Sequence, residues 1–308
     1  MLQEITLHIN QFLNHFSSTD NIILNNHTYP IKAENFQPLL AADQQTIAFI
    51  DGGQAEIIKA GNFCLSFIRI YAVVMQNNKK IKDYQKEFYL FTKAVWRNDD
   101  LFYESKIFGD QIINPENLTI SSNDASIRTG SERAPITKIT NMARRFAELV
   151  LAAEVQADYI LLDGTLEPTF RNEEKYLNKL PRNVSALAKS SQLFTTSGNS
   201  PVILLNKLGP QGCWLYNLNE QTSFVKLHPQ AKHVFRFSGS KEIIANLIHN
   251  SSDALFLGYP YGLIMVDRLA RVSNSEKNSL KLKFILNNKD LADYLNTTNP
   301  HDILDNLG

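Results

Sequence analysis

Two stretches of the chain end an apolar run in a carboxylate followed by glycine. They are Ile47–Gly53 (Ile-Ala-Phe-Ile-Asp-Gly-Gly) and Tyr159–Leu166 (Tyr-Ile-Leu-Leu-Asp-Gly-Thr-Leu). A continuous apolar run closed by a turn signal reads as a buried strand. Asp51 and Asp163 are therefore expected at strand ends, held rigidly at the edge of a sheet. Carboxylate oxygens suit hard divalent ions, and two-metal phosphoryl-transfer sites hold their ions about 3.5–4 Å apart between acids drawn from distant parts of a chain. Two strand-end aspartates fit that chemistry. Asp-Gly is equally ordinary turn chemistry after a strand, so both readings stay open at this level.

A third acid, Glu148, lies on a helix expected from about Pro135 to Gln156, four residues after Arg144 and three after Arg145. Ile139, Met142, Ala143, Phe146, Leu149, Val150 and Ala153 form the apolar stripe of that helix. At about 100° per residue Glu148 falls nearly opposite the stripe. It reaches the aspartates only if the helix turns its polar face toward them; Glu154, nearer the stripe, is the fallback. The plain alternative is a surface ion-pair network, each pair contributing about 0.3–0.5 kcal/mol. Lys189-Ser190-Ser191 follows the apolar run Val184–Ala188 and offers an ammonium and hydroxyls to phosphate oxygens, or is a polar loop. Asp267, on an expected late helix, is either a fourth acid of the site or the i, i+4 partner of Arg271. His228 and His233 flank Pro229, which excludes one helix face and leaves a weak zinc candidate. There is no G-x-S-x-G, Walker A or G-x-G-x-x-G pattern.

The elements needed to position these residues follow from periodicity. Helical spacing over Leu2–Phe16 predicts an amphipathic helix, and 18–43 reads as polar loop with short extended pieces. Strands are expected at 46–51, 63–75, 84–96 and 101–108, with Asn77–Lys80 as a turn, giving an antiparallel meander. Residues 109–135 read as a long, mobile inserted loop. The helix carrying Glu148 and the strand 158–163 follow. Residues 172–195 read as helical with a break at Pro181, and Pro201–Leu205 as a strand. Cys213–Leu218 with Ser223–Lys226 reads as a hairpin, 235–237 as a strand, 241–250 and about 261–272 as helices, and 280–286 as a late strand. Strands followed by β-α-β crossovers predict an α/β fold with a mixed sheet and flanking helices, of the RNase H-like order. Domain limits are expected at 1–44 (N-terminal helix and extension), 45–290 (catalytic domain) and 291–308 (tail).

Of 308 residues, Lys plus Arg number 31 and Asp plus Glu 31. This balance excludes a global basic field, so any nucleic-acid site must be a local patch or be shared between two chains. Two isolated cysteines, Cys64 and Cys213, exclude a disulfide scaffold and fit a cytoplasmic protein. Residues 1–16 lack a signal-peptide pattern, and Phe63–Met75 is too short to span a bilayer.

The pieces, in order, resemble the NurA nucleases, which have an RNase H-like core. Ile47–Gly53 is similar to that family's first strand with its Asp-Gly motif, Arg145 and Glu148 to its helix glutamate, and Leu161–Leu166 to its second Asp-Gly strand end. Ala188–Ser191 resembles the Ser-Lys-Thr-Ser piece, Phe224–Phe237 the paired strands, and Leu257–Arg271 the Gly-Tyr-Pro element. The resemblance covers about 45–275. It implies a Mn²⁺-dependent (or Mg²⁺-dependent) deoxyribonuclease, a 5′–3′ exonuclease and single-strand endonuclease. It further implies a homodimer that works with a hexameric HerA-type ATPase in DNA end processing, repair or defence. By the same resemblance Asp51, Glu148 and Asp163 are metal ligands, Asp267 a fourth catalytic residue, and Lys189, Ser190 and Arg145 nucleic-acid contacts. Gly53, Ala186–Ala188 and Val266 depart from the family's usual residues. Two rivals remain. One is an actin- or sugar-kinase-like ATPase, whose late Gly-Gly loop is poorly represented here. The other is an inactive scaffold for an ATPase ring, docked through Leu2–Phe16 or the tail.

Overall fold

The computed structural model describes residues 1–13, 20–42, 45–189 and 193–298. In chain order the elements are α1 (Leu2–Leu13), β1 (Asn21–Leu24), β2 (His27–Pro30), β3 (Phe36–Pro38), β4 (Ile47–Lys59), β5 (Phe63–Gln76), β6 (Lys79–Arg97), β7 (Asp100–Gly109) and β8 (Ile120–Ser121). Next come α2 (Lys138–Glu154), β9 (Tyr159–Asp163), α3 (Glu174–Leu177), β10 (Val184–Ala188), β11 (Phe194–Thr195), α4 (Pro201–Leu208), β12 (Trp214–Asn217), β13 (Thr222–Lys226) and β14 (Phe235–Gly239). The described chain closes with α5 (Ile243–Asn250), α6 (Tyr261–Ala270), α7 (Asn274–Leu286) and α8 (Lys289–Thr298). Two compact units share them. One holds Met1–Gln45, Asp163–Leu166 and Ser185–Tyr261; the other holds Thr46–Leu162, Glu167–Val184 and Gly262–Gly308.

The larger unit is a mixed sheet, order β9-β4-β5-β6-β7-β8, in which β9 runs parallel to β4 and the remaining neighbours are antiparallel. The expected meander is present. Asn77-Asn78 and Asn98-Asp99 turn its hairpins with φ of 52°, 57°, 46° and 60°. That left-handed pair of residues matches the right-handed twist of the flanking strands. β4 differs from expectation. It does not stop at Asp51 but runs through Gly52 and Gly53 to Lys59, because β5 pairs with it over that whole length. At the far end Ala55, Ile57, Ile58 and Phe67 are covered by Leu280 and Phe284 of α7 and Leu291 of α8. The late strand expected at 280–286 is therefore helical. Ser273 caps it, accepting a hydrogen bond from the Glu276 amide at 3.1 Å, the S-x-x-E pattern of a helix start.

Residues 109–135, expected as a mobile loop, are anchored instead. Ile113, Leu118, Ile120 and Ile127 are buried. β8 pairs with β7, and the Tyr103 hydroxyl donates to the Ala134 carbonyl at 2.5 Å. Isolated isoleucines and leucines in a polar stretch carry no period, so their burial left no periodic trace.

The smaller unit has an antiparallel sheet, order β3-β12-β13-β14-β10, and a separate sheet, order β11-β1-β2. Its core gathers Ile22, Leu205, Trp214, Tyr216 and Phe224. Residues 1–44, expected as a separate extension, contribute β3 to the sheet through Trp214↔Pro38 pairing. Among the described residues of 172–195 only α3 is helical; Val184–Ala188 is a fully buried strand, where a continuous apolar run fits either geometry. Pro201–Leu205, expected as a strand, begins α4 with Pro201 in the first turn, the position where a missing N–H costs nothing. α1 ends at Leu13; the expected continuation to Phe16 and the tail beyond residue 298 lie outside the described residues. Among the described residues no helix is long and apolar enough to cross a membrane.

Candidate active site

In the larger unit Asp51 sits in mid-strand on β4 and Glu148 on α2, 7% and 4% exposed. The sequence places Glu148 opposite the apolar stripe, yet it faces β4. The reason is that α2 is covered on two sides. Phe146, on the stripe, stacks on Tyr176 of α3 with ring centroids 4.5 Å apart, while a polar row meets the sheet. In that row Thr140 hydrogen-bonds Ser66 at 2.8 Å, and Asn141 accepts from Gln54 at 2.5 Å. Arg144 donates to the Gly52 carbonyl at 3.1 Å. A Cβ on Gly52 would stand 2.7 Å from Glu148 Oε1 and 2.8 Å from Arg144 Cγ. The glycine after Asp51 thus makes room for the helix glutamate.

Arg144 joins the two acids electrostatically. Its Nη1 donates to Glu148 Oε1 and lies 3.9 Å from Asp51 Oδ1. Two nearly buried carboxylates around one guanidinium leave an excess of negative charge, which a low-dielectric setting makes costly unless further cations compensate. Arg145 supplies part of it, with Nη1 3.8 Å from Glu148 Oε2. Its Nε donates at 2.8 Å to Glu173, which is 0% exposed and also accepts from the Thr169 and Phe170 amides at 2.8 and 2.9 Å. Arg145, expected at nucleic acid, is thus turned inward as a link between two buried acids. Glu154, the fallback acid, is exposed at the end of α2.

Asp163 ends β9. The β4–β9 register runs to Ile50↔Leu162, the residues immediately before Asp51 and Asp163. In the smaller unit the Asp163 carboxylate receives Lys189 Nζ at 2.8 Å and the Tyr259 hydroxyl at 3.5 Å. The Lys189 ammonium also lies 5.7 Å from the Tyr259 ring centroid. Ser190 lies outside the described residues. Asp267 pairs with Arg271 at 2.9 Å, the surface alternative left open by the sequence. Its helix α6 packs along β4: a Cβ on Gly262 would stand 2.2 Å from the Phe49 ring, and one on Gly53 would stand 2.0 Å from the Ala270 carbonyl oxygen. Among the described residues no group of three or more His, Cys, Asp or Glu side chains is drawn close enough to hold a metal ion. Asp51 and Glu148 form a pair, each already engaged by arginine. An all-oxygen, carboxylate donor set fits Mn²⁺ or Mg²⁺ rather than a soft metal.

Residues 45–203 match the NurA domain family. The chain belongs to that family. Membership supports a nuclease. A search of curated proteins finds no match. Among solved structures, a NurA crystal structure superposes with a TM-score of 0.52 at 9% identity, covering 84% of this chain and 92% of that one. The NurA fold is thus shared although few residues are. Endonuclease V of Ciona intestinalis, solved with inosine-containing DNA, gives a TM-score of 0.41 at 14% identity over 74% of this chain and 84% of its own. Human Endonuclease V gives 0.39 at 11% identity, over 88% and 96%.

Sequence reasoning missed Arg144 as the shared counter-ion, Glu173 as the buried partner of Arg145, and Tyr259 beside Asp163. Tyr259 was within reach through the Gly-Tyr-Pro element. Glu173, in the polar run Arg171-Asn172-Glu173-Glu174, carries no signal that distinguishes it from a surface acid.

Proposed function

We propose that this NurA-family chain is a metal-dependent DNA nuclease, active as a homodimer with a hexameric HerA-type ATPase in DNA end processing, repair or defence. The observation that carries the reading is the buried Asp51–Glu148 pair, for which Gly52 makes space. Family membership supports the remainder. Asp51, Glu148 and Asp163 would hold Mn²⁺ or Mg²⁺. A bound ion of this class supplies an activated water and stabilises charge on the attacking and leaving oxygens of a phosphodiester.

The chain's own residues prepare that site. Arg144 and Arg145 compensate the charge of the buried Glu148 carboxylate and orient it. Glu173 accepts one hydrogen bond from Arg145 and is itself held by the Thr169 and Phe170 amides. Lys189 is suited to a non-bridging phosphate oxygen, because its ammonium is held at Asp163 while its side chain is 42% exposed. Leu2, Ile5, Ile9 and Phe12 stay exposed on α1, which supports α1 as the element that docks the ATPase. Asp267 has least support, being paired with Arg271.

The test is Asp163→Asn assayed for DNA cleavage with Mn²⁺. A fall of about 100-fold or more is expected, since perturbing even an outer partner of a ligand costs about 10–100-fold. Cleavage at the wild-type rate would overturn the mechanism.

A further inference from the structure

The chain carries no net charge, yet residues 185–241 hold six cations (Lys189, Lys207, Lys226, Lys232, Arg236, Lys241) against a single acid, Glu220. Within the smaller unit several of them gather around one hollow of about 320 Å³. Lys189, Lys207 and Lys232 stand on its wall with His233, and among the described residues no carboxylate side chain lines it. All four are exposed. Apart from Asn206 its remaining lining is apolar: Val202, Ile203, Val234 and Phe235. Asn206 ties the wall together. It donates to the Lys232 carbonyl at 3.2 Å and accepts from Lys226 Nζ at 3.1 Å, so α4, β13 and the segment before β14 are fixed around the cavity.

A hollow with ammonium groups on one side and an aliphatic and aromatic floor on the other matches one nucleotide of a single strand. Phosphate goes to the lysines, and the base or sugar lies against the floor. A duplex presents phosphates but keeps its bases stacked, and so has nothing to place on the floor. Lys189 belongs both to the hollow and to the ion pair with Asp163. The bound nucleotide would therefore be next to the phosphate that Lys189 contacts.

We propose that this hollow is a nucleotide-binding subsite for a single nucleic-acid strand, centred on Lys207, Lys232 and Asn206. The proposal deepens the nuclease reading and rests on it for the identity of the strand, but binding without a divalent ion tests it separately.

The experiment is fluorescence anisotropy of a labelled oligo-dT strand with the full chain in EDTA. Lys207→Ala/Lys232→Ala is compared with a control of equal charge change on β6, Lys79→Ala/Lys82→Ala. The hollow variant is expected to bind about tenfold more weakly. The slope of log affinity against log salt should fall by about 1.4, near 0.7 per lost contact on a single strand, at unchanged Tm. The control should stay within about twofold. Equal weakening in both variants would mean diffuse attraction only and would overturn the subsite. An abasic strand binding as tightly as oligo-dT would overturn the role of the apolar floor. Inorganic phosphate competing as well as thymidine monophosphate would overturn the nucleotide in favour of a bare anion site. If the hollow variant loses binding while wild type shows no Mn²⁺-dependent cleavage, the subsite stands and the nuclease reading falls.

Discussion

Asp51-Gly52 and Asp163-Gly164 are written almost identically and are built differently. Gly52 lies inside a paired strand, and a Cβ there would meet Glu148 and Ile70 at 2.7 Å and Arg144 at 2.8 Å. Gly164 has φ of +108° and, among the described residues, nothing within 4 Å of its absent Cβ. The first glycine is required by crowding and the second by backbone conformation. The same dipeptide therefore marks a helix pressed onto a strand in one place and a strand's end in the other. The acids differ accordingly. Asp51 is nearly buried beside arginine, while Asp163 is half-buried beside a lysine that reaches solvent.

Alanine substitutions sharpen this contrast. The largest effect is expected at Gly53, where the obstacle is the Ala270 backbone carbonyl at 2.0 Å and no side-chain rotation relieves it. Gly53→Ala should cost about 3 kcal/mol, read as a lowered urea midpoint at unchanged m-value. Gly52→Ala should cost about 1–3 kcal/mol, less than Gly53→Ala because its obstacles are side-chain atoms rather than backbone. It should also displace Glu148, so Mn²⁺ affinity measured by titration calorimetry falls along with stability. Gly164→Ala should cost about 1 kcal/mol, from strained φ alone. A loss at Gly164 larger than at Gly52 would invert the comparison and show that the turn, not the crowding, is the more demanding place.

Much of the framework was legible because it obeys simple periods. The long antiparallel ribbon, the turn beginning at Asn77-Asn78 and the strand 158–163 follow from alternation, turn residues and apolar runs. So do the hairpin of β12 and β13 and the helices α2, α5 and α6. The failures have common causes. Pro201–Leu205 and Val184–Ala188 are short apolar runs whose geometry is set by what they pack against, not by their own period. The Leu280–Leu286 alternation fits a helix equally well, and the Ser273–Glu276 cap decided it. Glu148 was legible as a candidate but not in direction. The stripe through Phe146 predicts the face that meets α3, whereas the side meeting the sheet is a polar row whose partners, Ser66, Gln54 and Gly52, lie on other strands. Arg144 and Glu173 have meaning only once those partners are assembled.

Arg144 has a consequence for the two acids it stands beside. A guanidinium already lodged between two carboxylates acts as a resident substitute for a divalent charge. The two buried acids thus find compensating charge inside the fold itself, unlike those of domains in which a cation is the keystone.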